Sequence, residues 1–314
     1  MTGDIAMTSV IEVEGLTKDY KQLRALDGVS FHVDKGEIVG LLGPNGSGKS
    51  TAINCMLSLL TFDAGSVRIF GEEMRPDAYD IKRRIGVVFQ DVAVFDELTV
   101  KQNLEYFCGL YVKDKSERAE MIGEAVALVG LEDYLGFRPK QLSGGLLRRL
   151  NLACGIAHRP ELIFLDEPTV AVDPQSRNNI LDGIGKLRDG GATVVYTTHY
   201  MEEVEHLCDR VIILDKGKII AAGSVDKLKQ LSDLEERVTL QGCELPEDMR
   251  EDPQIESVEQ RGKTVTLVFR RGENNLAGLV AELARRGVRY ESIYSERPTL
   301  NDVFLQLTGK ELRD

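Results

Sequence analysis

The stretch Gly43-Pro44-Asn45-Gly46-Ser47-Gly48-Lys49-Ser50-Thr51 decides how this chain is read. It fits the pattern G-x-x-x-x-G-K-[ST]. Before it lies the compact apolar run Ile38–Leu42, expected as a strand. After it, Ile53, Met56, Leu57 and Leu60 recur at i, i+3, i+4 and i+7, one face of a helix. Strand, glycine-rich turn and helix together make a phosphate cradle. The glycines let backbone N–H groups wrap a phosphate, and the helix N-terminus adds partial positive charge. Lys49 is expected to reach the β- and γ-phosphates of a nucleotide, and the Ser50 hydroxyl to ligate Mg²⁺.

A second anchor is Leu162-Ile163-Phe164-Leu165-Asp166-Glu167-Pro168. An apolar run ending in Asp reads as a strand that carries a carboxylate to its C-terminal end, where ligands bind in open parallel sheets. Asp166 is the expected Mg²⁺ residue. Glu167 is the expected catalytic group that orients and polarises an attacking water.

The rest of the chain frames these anchors. Its 314 residues predict two domains at about 150 residues each. Acidic residues outnumber basic ones by 51 to 39, a formal charge of -12, which argues against a surface built for nucleic acid phosphates. No apolar run approaches the roughly 18 residues of a membrane span, and the start MTGDIAMTSV lacks the pattern of a signal peptide. Cys55, Cys108, Cys154, Cys208 and Cys243 are scattered and never form C-x-x-C, so they read as reduced thiols in a cytosolic protein.

Along the chain, Ile11-Glu12-Val13, Val29-Ser30-Phe31-His32-Val33 and Val67-Arg68-Ile69 alternate as half-buried strands do. Residues 91–158 read as mostly helical. Leu162–Leu165, Thr193–Thr197 and Val211–Leu214 are strand candidates separated by helical patterns, which indicates a mostly parallel sheet with crossover helices. Asp215-Lys216-Gly217-Lys218 reads as a hairpin turn. The charged stretch Asp226–Arg237 reads as helical, with a linker at 226–236. Residues 237–314 then form a small α/β domain. Thr264–Phe269 is its strand, with Val265, Leu267 and Phe269 on one face. Leu276, Leu279, Val280 and Leu283 form one helix stripe, ended by Gly287. Leu300, Val303, Phe304 and Leu307 form another, opened by a Thr299–Asp302 capping box.

Leu142-Ser143-Gly144-Gly145 precedes the helix-like run Leu146–Leu150. The plain reading is a serine N-cap with flexible glycines. In company with the two anchors, this run resembles the L-S-G-G-Q signature of the ATP-binding-cassette (ABC) ATPases, with Leu146 where glutamine is usual. The resemblance covers about residues 9–225 and implies a P-loop NTPase fold. That fold has a mostly parallel core sheet, an antiparallel β subdomain and a helical signature subdomain. It implies ATP and Mg²⁺ as ligands, Tyr20 as an aromatic that stacks on adenine, and Gln90 as a hinge that links Mg²⁺ and water to the helical region. Ala171-Val172-Asp173 matches the loop that crosses between two cassettes, where the plain reading of Asp173-Pro174 is a turn or N-cap. His199 matches the histidine that contacts the γ-phosphate; His32, His158 and His206 match no motif.

The resemblance further implies that two cassettes meet head to tail around two ATP molecules. Each γ-phosphate is then held by Lys49 of one and by Ser143 and Gly145 of the other. One P-loop and one signature make this chain half of an ATPase pair, compatible with a homodimer or with a heterodimer. Transport requires separate membrane-spanning permease subunits, docking near Gln90 from the inner face of the membrane. The segment 148–176 and the run Arg297–Phe304 resemble the ATPases of two-part bacterial exporters, whose C-terminal accessory domain the tail matches. That tail reads equally as a packing appendage or as a dimerisation or regulatory module. A soluble ABC ATPase acting on nucleic acid or the ribosome is the alternative. Chromosome-bound members split their motifs with a long coiled coil and translation factors carry two cassettes, and neither feature is present in the sequence.

Overall fold

A computed structural model describes residues 9–21, 23–231, 234–250, 252–270, 275–296 and 299–309. They divide into two compact units between Ser224 and Val225. The first unit runs through β1 (Ser9–Tyr20), β2 (Leu23–Asp34), β3 (Ile38–Leu42), α1 (Lys49–Met56), β4 (Ala64–Ile69), β5 (Glu72–Glu73), α2 (Tyr79–Lys82) and β6 (Ile85–Val88). Three helices follow, α3 (Val100–Gly109), α4 (Lys115–Val129) and α5 (Gly144–Ile156). The unit closes with β7 (Leu162–Asp166), α6 (Pro174–Asp189), β8 (Thr193–Thr198), α7 (Met201–Leu207), β9 (Arg210–Asp215) and β10 (Lys218–Gly223).

Two sheets result. One is antiparallel, ordered β2-β1-β4-β5. The other is ordered β10-β9-β3-β8-β7-β6 and is parallel from β9 to β6. Every residue of β3, β7 and β8 is buried, as parallel strands covered on both faces require. The half-buried strands alternate as read: Val29 and Val33 are inside while Ser30 and His32 face solvent. Ile11 and Leu16 from one sheet, Phe164 and Ile212 from the other, and Ile53 and Met56 from α1 share one core. β9 and β10 form the expected hairpin, with Lys216 and Gly217 both at positive φ, 47° and 77°, matching a type I′ turn.

Two expectations about boundaries are corrected here. The helix after the glycine turn ends at Met56, so Leu57 caps it and Leu60 lies beyond, packed on the same core from a turn. The charged stretch Asp226–Arg237 is not one helix. α8 (Val225–Lys229) ends early, and the last four residues of the stretch belong to β11 (Leu234–Gln241), which pairs with two other strands. Sheet pairing outweighs local helix propensity in this segment.

The second unit adds α9 (Glu247–Arg250), β12 (Ile255–Arg261), β13 (Thr264–Arg270), α10 (Asn275–Arg286), β14 (Ser292–Glu296) and α11 (Leu300–Thr308). Its sheet, β12-β13-β11-β14, is antiparallel throughout. Val265, Leu267 and Phe269 point into a core with Val238, Leu240, Leu279 and Leu283. Val280 and Leu307, read as members of the buried stripes, are 36% and 44% exposed. Each helix buries a narrower seam than its apolar pattern offers. Arg297 and Pro298 lie outside the described residues.

Candidate active site

Four neighbouring strands, β3, β8, β7 and β6, run in one direction and end on one edge of the sheet. The segments leaving that edge begin with Gly43, His199, Glu167 and Phe89, the last followed by Gln90. Open parallel sheets bind ligands at this edge.

The glycine-rich turn is shaped by close approach. Gly48 caps α1 at φ 110°, where a Cβ would stand 2.7 Å from the Ala25 carbonyl oxygen. At Gly43 a Cβ would stand 2.3 Å from the Leu214 carbonyl oxygen. No side chain caps α1, so its first-turn N–H groups face the turn. The Ser47 hydroxyl is buried without a hydrogen-bond partner. Lys49 is buried, and its Nζ donates to the carbonyls of Gly43 at 2.8 Å and Pro44 at 3.3 Å. An uncapped helix start, an orphaned hydroxyl and a buried ammonium fit a phosphate group. Ser50 and Thr51 occupy the first turn of α1, and Asn45 and Gly46 are exposed on the turn.

One carboxylate links this lysine to a histidine. Glu167 Oε1 lies 3.3 Å from Lys49 Nζ, with both side chains buried. Glu167 Oε2 lies 3.5 Å from His199 Nδ1, which has no hydrogen-bond partner. The Glu167 backbone has φ 48°, an uncommon region for a residue with a Cβ. It is fixed there by Thr197, whose carbonyl and hydroxyl both accept from the Glu167 N–H, at 3.2 and 3.0 Å. The same Thr197 hydroxyl donates to Asp166 Oδ1 at 2.5 Å. Thr197 therefore orients both carboxylates, a role that a strand threonine 30 residues away does not announce in sequence. Ser50 and Asp166, the expected Mg²⁺ residues, are a hydroxyl and a carboxylate, the hard oxygen donors that Mg²⁺ prefers.

The remaining predicted residues make no contact with Lys49, Glu167 or His199 in the bonds and ion pairs named above. Tyr20 ends β1 and is 44% exposed, with Lys18 Nζ 5.5 Å from its ring centre; it is a surface aromatic rather than a core one. Gln90 is exposed, and its carbonyl accepts from Arg148 on α5. Burial lowers the Arg148 pKa, against the opposing pull of Asp91. Ser143 caps α5, accepting from the Leu146 N–H at 3.3 Å. Ser143 and Gly144 are exposed. Gly145 is buried against the next loop, where a Cβ would stand 2.3 Å from Ser176 Oγ and 3.0 Å from Asp173 Oδ2. Asp173 caps α6, accepting from the Ser176 N–H at 3.0 Å, and that bond holds its carboxyl below the usual range. Both residues take the plain capping role open to them in sequence. Their turns adjoin each other within one chain.

Two buried asparagines were not anticipated. Asn151 accepts from the Ala93 N–H at 3.0 Å and donates to the Phe89 carbonyl at 3.3 Å. Asn103 accepts from the Phe95 N–H at 2.8 Å and donates to the carbonyls of Phe95 and Thr99, each at 3.0 Å. Together they pin the loop that carries Gln90. Beside this loop is a mainly apolar groove of about 350 Å³, with Phe89, Phe107, Leu110 and Tyr111 on its walls. His158 belongs to the groove floor. Its ring stacks on Tyr111 at 3.9 Å, and burial lowers its pKa. The five cysteines are free and buried, and burial pushes the Cys55 thiol up to about 11. They behave as small apolar residues. Among the described residues, no cluster of three or more His, Cys, Asp or Glu side chains could hold a metal.

A phosphate cradle between a parallel strand and a helix, with acidic groups at the end of the strand two places along the same sheet, defines a P-loop nucleoside triphosphatase. Comparison with known proteins narrows the class. The ABC transporter family profile matches residues 26–170, and that of the DrrA1-3-like ATP-binding protein C-terminal domain matches residues 223–308. The linearmycin resistance ATP-binding protein LnrL of Bacillus subtilis is 35% identical, covering 97% of this chain and 100% of its own. The daunorubicin/doxorubicin resistance ATP-binding protein DrrA of Streptomyces peucetius is 36% identical, covering 98% and 94%. A solved dimeric ATP-binding cassette in a post-hydrolysis state, bound to ADP and Pi, matches with TM-score 0.63 at 30% identity, covering 68% of this chain and 98% of that one. The chain belongs to the ATP-binding subunits of ABC transporters, and it is an ABC-type ATPase. The nucleic-acid and ribosome alternatives have no counterpart among these relatives. Among the described residues, no helix is long and apolar enough to cross a membrane.

Proposed function

We propose that this ATPase subunit of an ABC exporter works as a head-to-tail pair of cassettes, clamping ATP between them and passing the closing motion to separate permease subunits. The observation that supports this reading is the different setting of the two motifs within one chain. Lys49, Glu167 and His199 converge, whereas Ser143 and Gly144 lie exposed on another turn. In this reading a second chain offers its exposed signature donors to a phosphate held at Lys49.

In this reading the backbone of Gly43, Pro44, Asn45, Gly46, Ser47 and Gly48 wraps the phosphates, and Tyr20 stacks on adenine. Lys49 exchanges its two carbonyl acceptors for phosphate oxygens. Glu167 accepts a proton from the attacking water, and His199 donates toward the γ-phosphate. Ser50, Asp166 and Gln90 would hold Mg²⁺, which neutralises phosphate charge when bound. Ser143, Gly144 and Gly145 of the other chain close on the γ-phosphate, and Asp173 lines the seam. ATP shifts the pair toward closure by its greater affinity for the closed state than the open one.

The permease is proposed to seat a cytoplasmic segment in the groove beside Gln90, which holds the ATPase at the inner membrane face. The exposed side chains of Leu59, Phe89, Leu110 and Tyr111 line this one groove and support this, as an apolar patch rather than a lone residue. Relatives named for Nod factor export, as in Burkholderia thailandensis at 36% identity, support an outward direction. Leu110→Glu should keep the ATPase rate of the isolated chain while reducing its co-sedimentation with permease-containing membranes. Undiminished co-sedimentation would contradict the groove assignment.

A further inference from the structure

Behind His199 sits a buried carboxylate that the reading above does not use. Glu203, on α7, is 3% exposed. Its Oε2 accepts from Tyr196 Oη at 2.7 Å and from Thr198 Oγ1 at 2.8 Å. Its Oε1 lies 3.4 Å from Arg177 Nε on α6, an ion pair with one partner buried and the other part-exposed. These contacts bracket His199. Thr198 precedes it, and the Thr198 hydroxyl also accepts from the Tyr200 N–H at 3.0 Å, which fixes the turn from the other side. The Arg177 guanidinium lies 4.6 Å from the centre of the Tyr200 ring, and that ring lies 4.1 Å from the imidazole of His199. Arg177 in turn stands one helical turn from Asp173, its N–H donating to the Asp173 carbonyl at 2.9 Å. Tyr196 Oη lies 3.4 Å from Thr169 Oγ1, on the loop that leaves Glu167.

Burying a carboxylate is costly, and an apolar side chain of similar volume would pack α7 with less penalty. The contacts instead tie three segments to one group: the loop after Glu167, the turn that presents His199, and the helix that starts at Asp173. We propose that Glu203 and Arg177 are positioning residues for ATP hydrolysis. They transmit a contact at Asp173 to the orientation of His199, so that the histidine is set for the γ-phosphate only when a second cassette has closed. This rests on the roles proposed above for Asp173 and His199.

The test is a double-mutant cycle in the full chain, read by steady-state kinetics and by single-turnover rates with the chain in excess of ATP. Arg177→Gln should lower kcat about ten- to a hundredfold, as expected when a reacting group is misplaced by about 1 Å, with the KM for ATP unchanged. In a His199→Ala background the same substitution should lower the single-turnover rate no further. Glu203→Gln should behave as Arg177→Gln does. Because Arg177 is part-exposed, its cycle decides the matter even where Glu203→Gln fails to fold. Equal fold-losses in both backgrounds, a rise in KM that tracks the fall in kcat, or an unchanged kcat would each overturn the proposal. Full turnover by His199→Ala would overturn the site reading and the proposal with it, a different result from additive losses.

Discussion

Lys49 and Glu167 face each other at 3.3 Å, both nearly closed off from water. Removing one member of a buried pair strands the other charge. In the proposed role, a phosphate oxygen replaces the two backbone acceptors of Lys49 with a charge-assisted partner. Lys49→Ala should weaken ATP binding about ten- to a hundredfold in nucleotide titration, the range for a hydrogen bond to a charged group; unchanged affinity would remove the P-loop assignment. Glu167→Gln keeps shape but cannot take a proton. Its turnover should fall about 10²- to 10⁴-fold while ATP is still bound, and full turnover would remove Glu167 as the base. The glycines, Lys49, Asp166 and Glu167 were legible in sequence because fixed spacing after an apolar run constrains where the backbone can go. Thr197, Asn103, Asn151 and Glu203 were not. Each acts through partners set by the sheet or by helix packing, and nothing in its neighbouring sequence marks it.

At the scale of elements, strand and helix identities followed from periodicity, and boundaries followed less well. The strands β3, β7 and β8 were readable as continuous apolar runs, and the Thr264–Phe269 strand by alternation. α1 ends where Ser58 turns to φ 50°, and β11 is held by sheet pairing, which local sequence does not carry. The Thr299–Asp302 capping box of α11 was readable and formed. Asp302 accepts the Thr299 N–H at 2.8 Å and also takes a guanidinium bond from Arg237 at 2.9 Å. Thr299→Ala should lower stability by about 1 kcal/mol, seen as an earlier melt of the second unit. An unchanged melt would mean that the Asp302–Arg237 contact alone holds the helix start.

For the whole molecule, the division between Ser224 and Val225 separates the residues of the candidate site from a smaller antiparallel unit. Every predicted site residue belongs to the first unit. On the reading proposed above, the convergent cluster and the exposed signature turn are two halves of a site that two copies complete together. On that reading ATP is the bridge between copies, and loss of its γ-phosphate by hydrolysis separates them. The most direct measurement is the solution mass of Glu167→Gln with ATP and Mg²⁺, alone and combined with Ser143→Arg. Glu167→Gln should show twice the single-chain mass with ATP and the single-chain mass with ADP. Adding Ser143→Arg should return the single-chain mass, with ATP still bound at Lys49. A chain that binds ATP yet stays at single mass, or one that still pairs with Ser143→Arg, would contradict that reading.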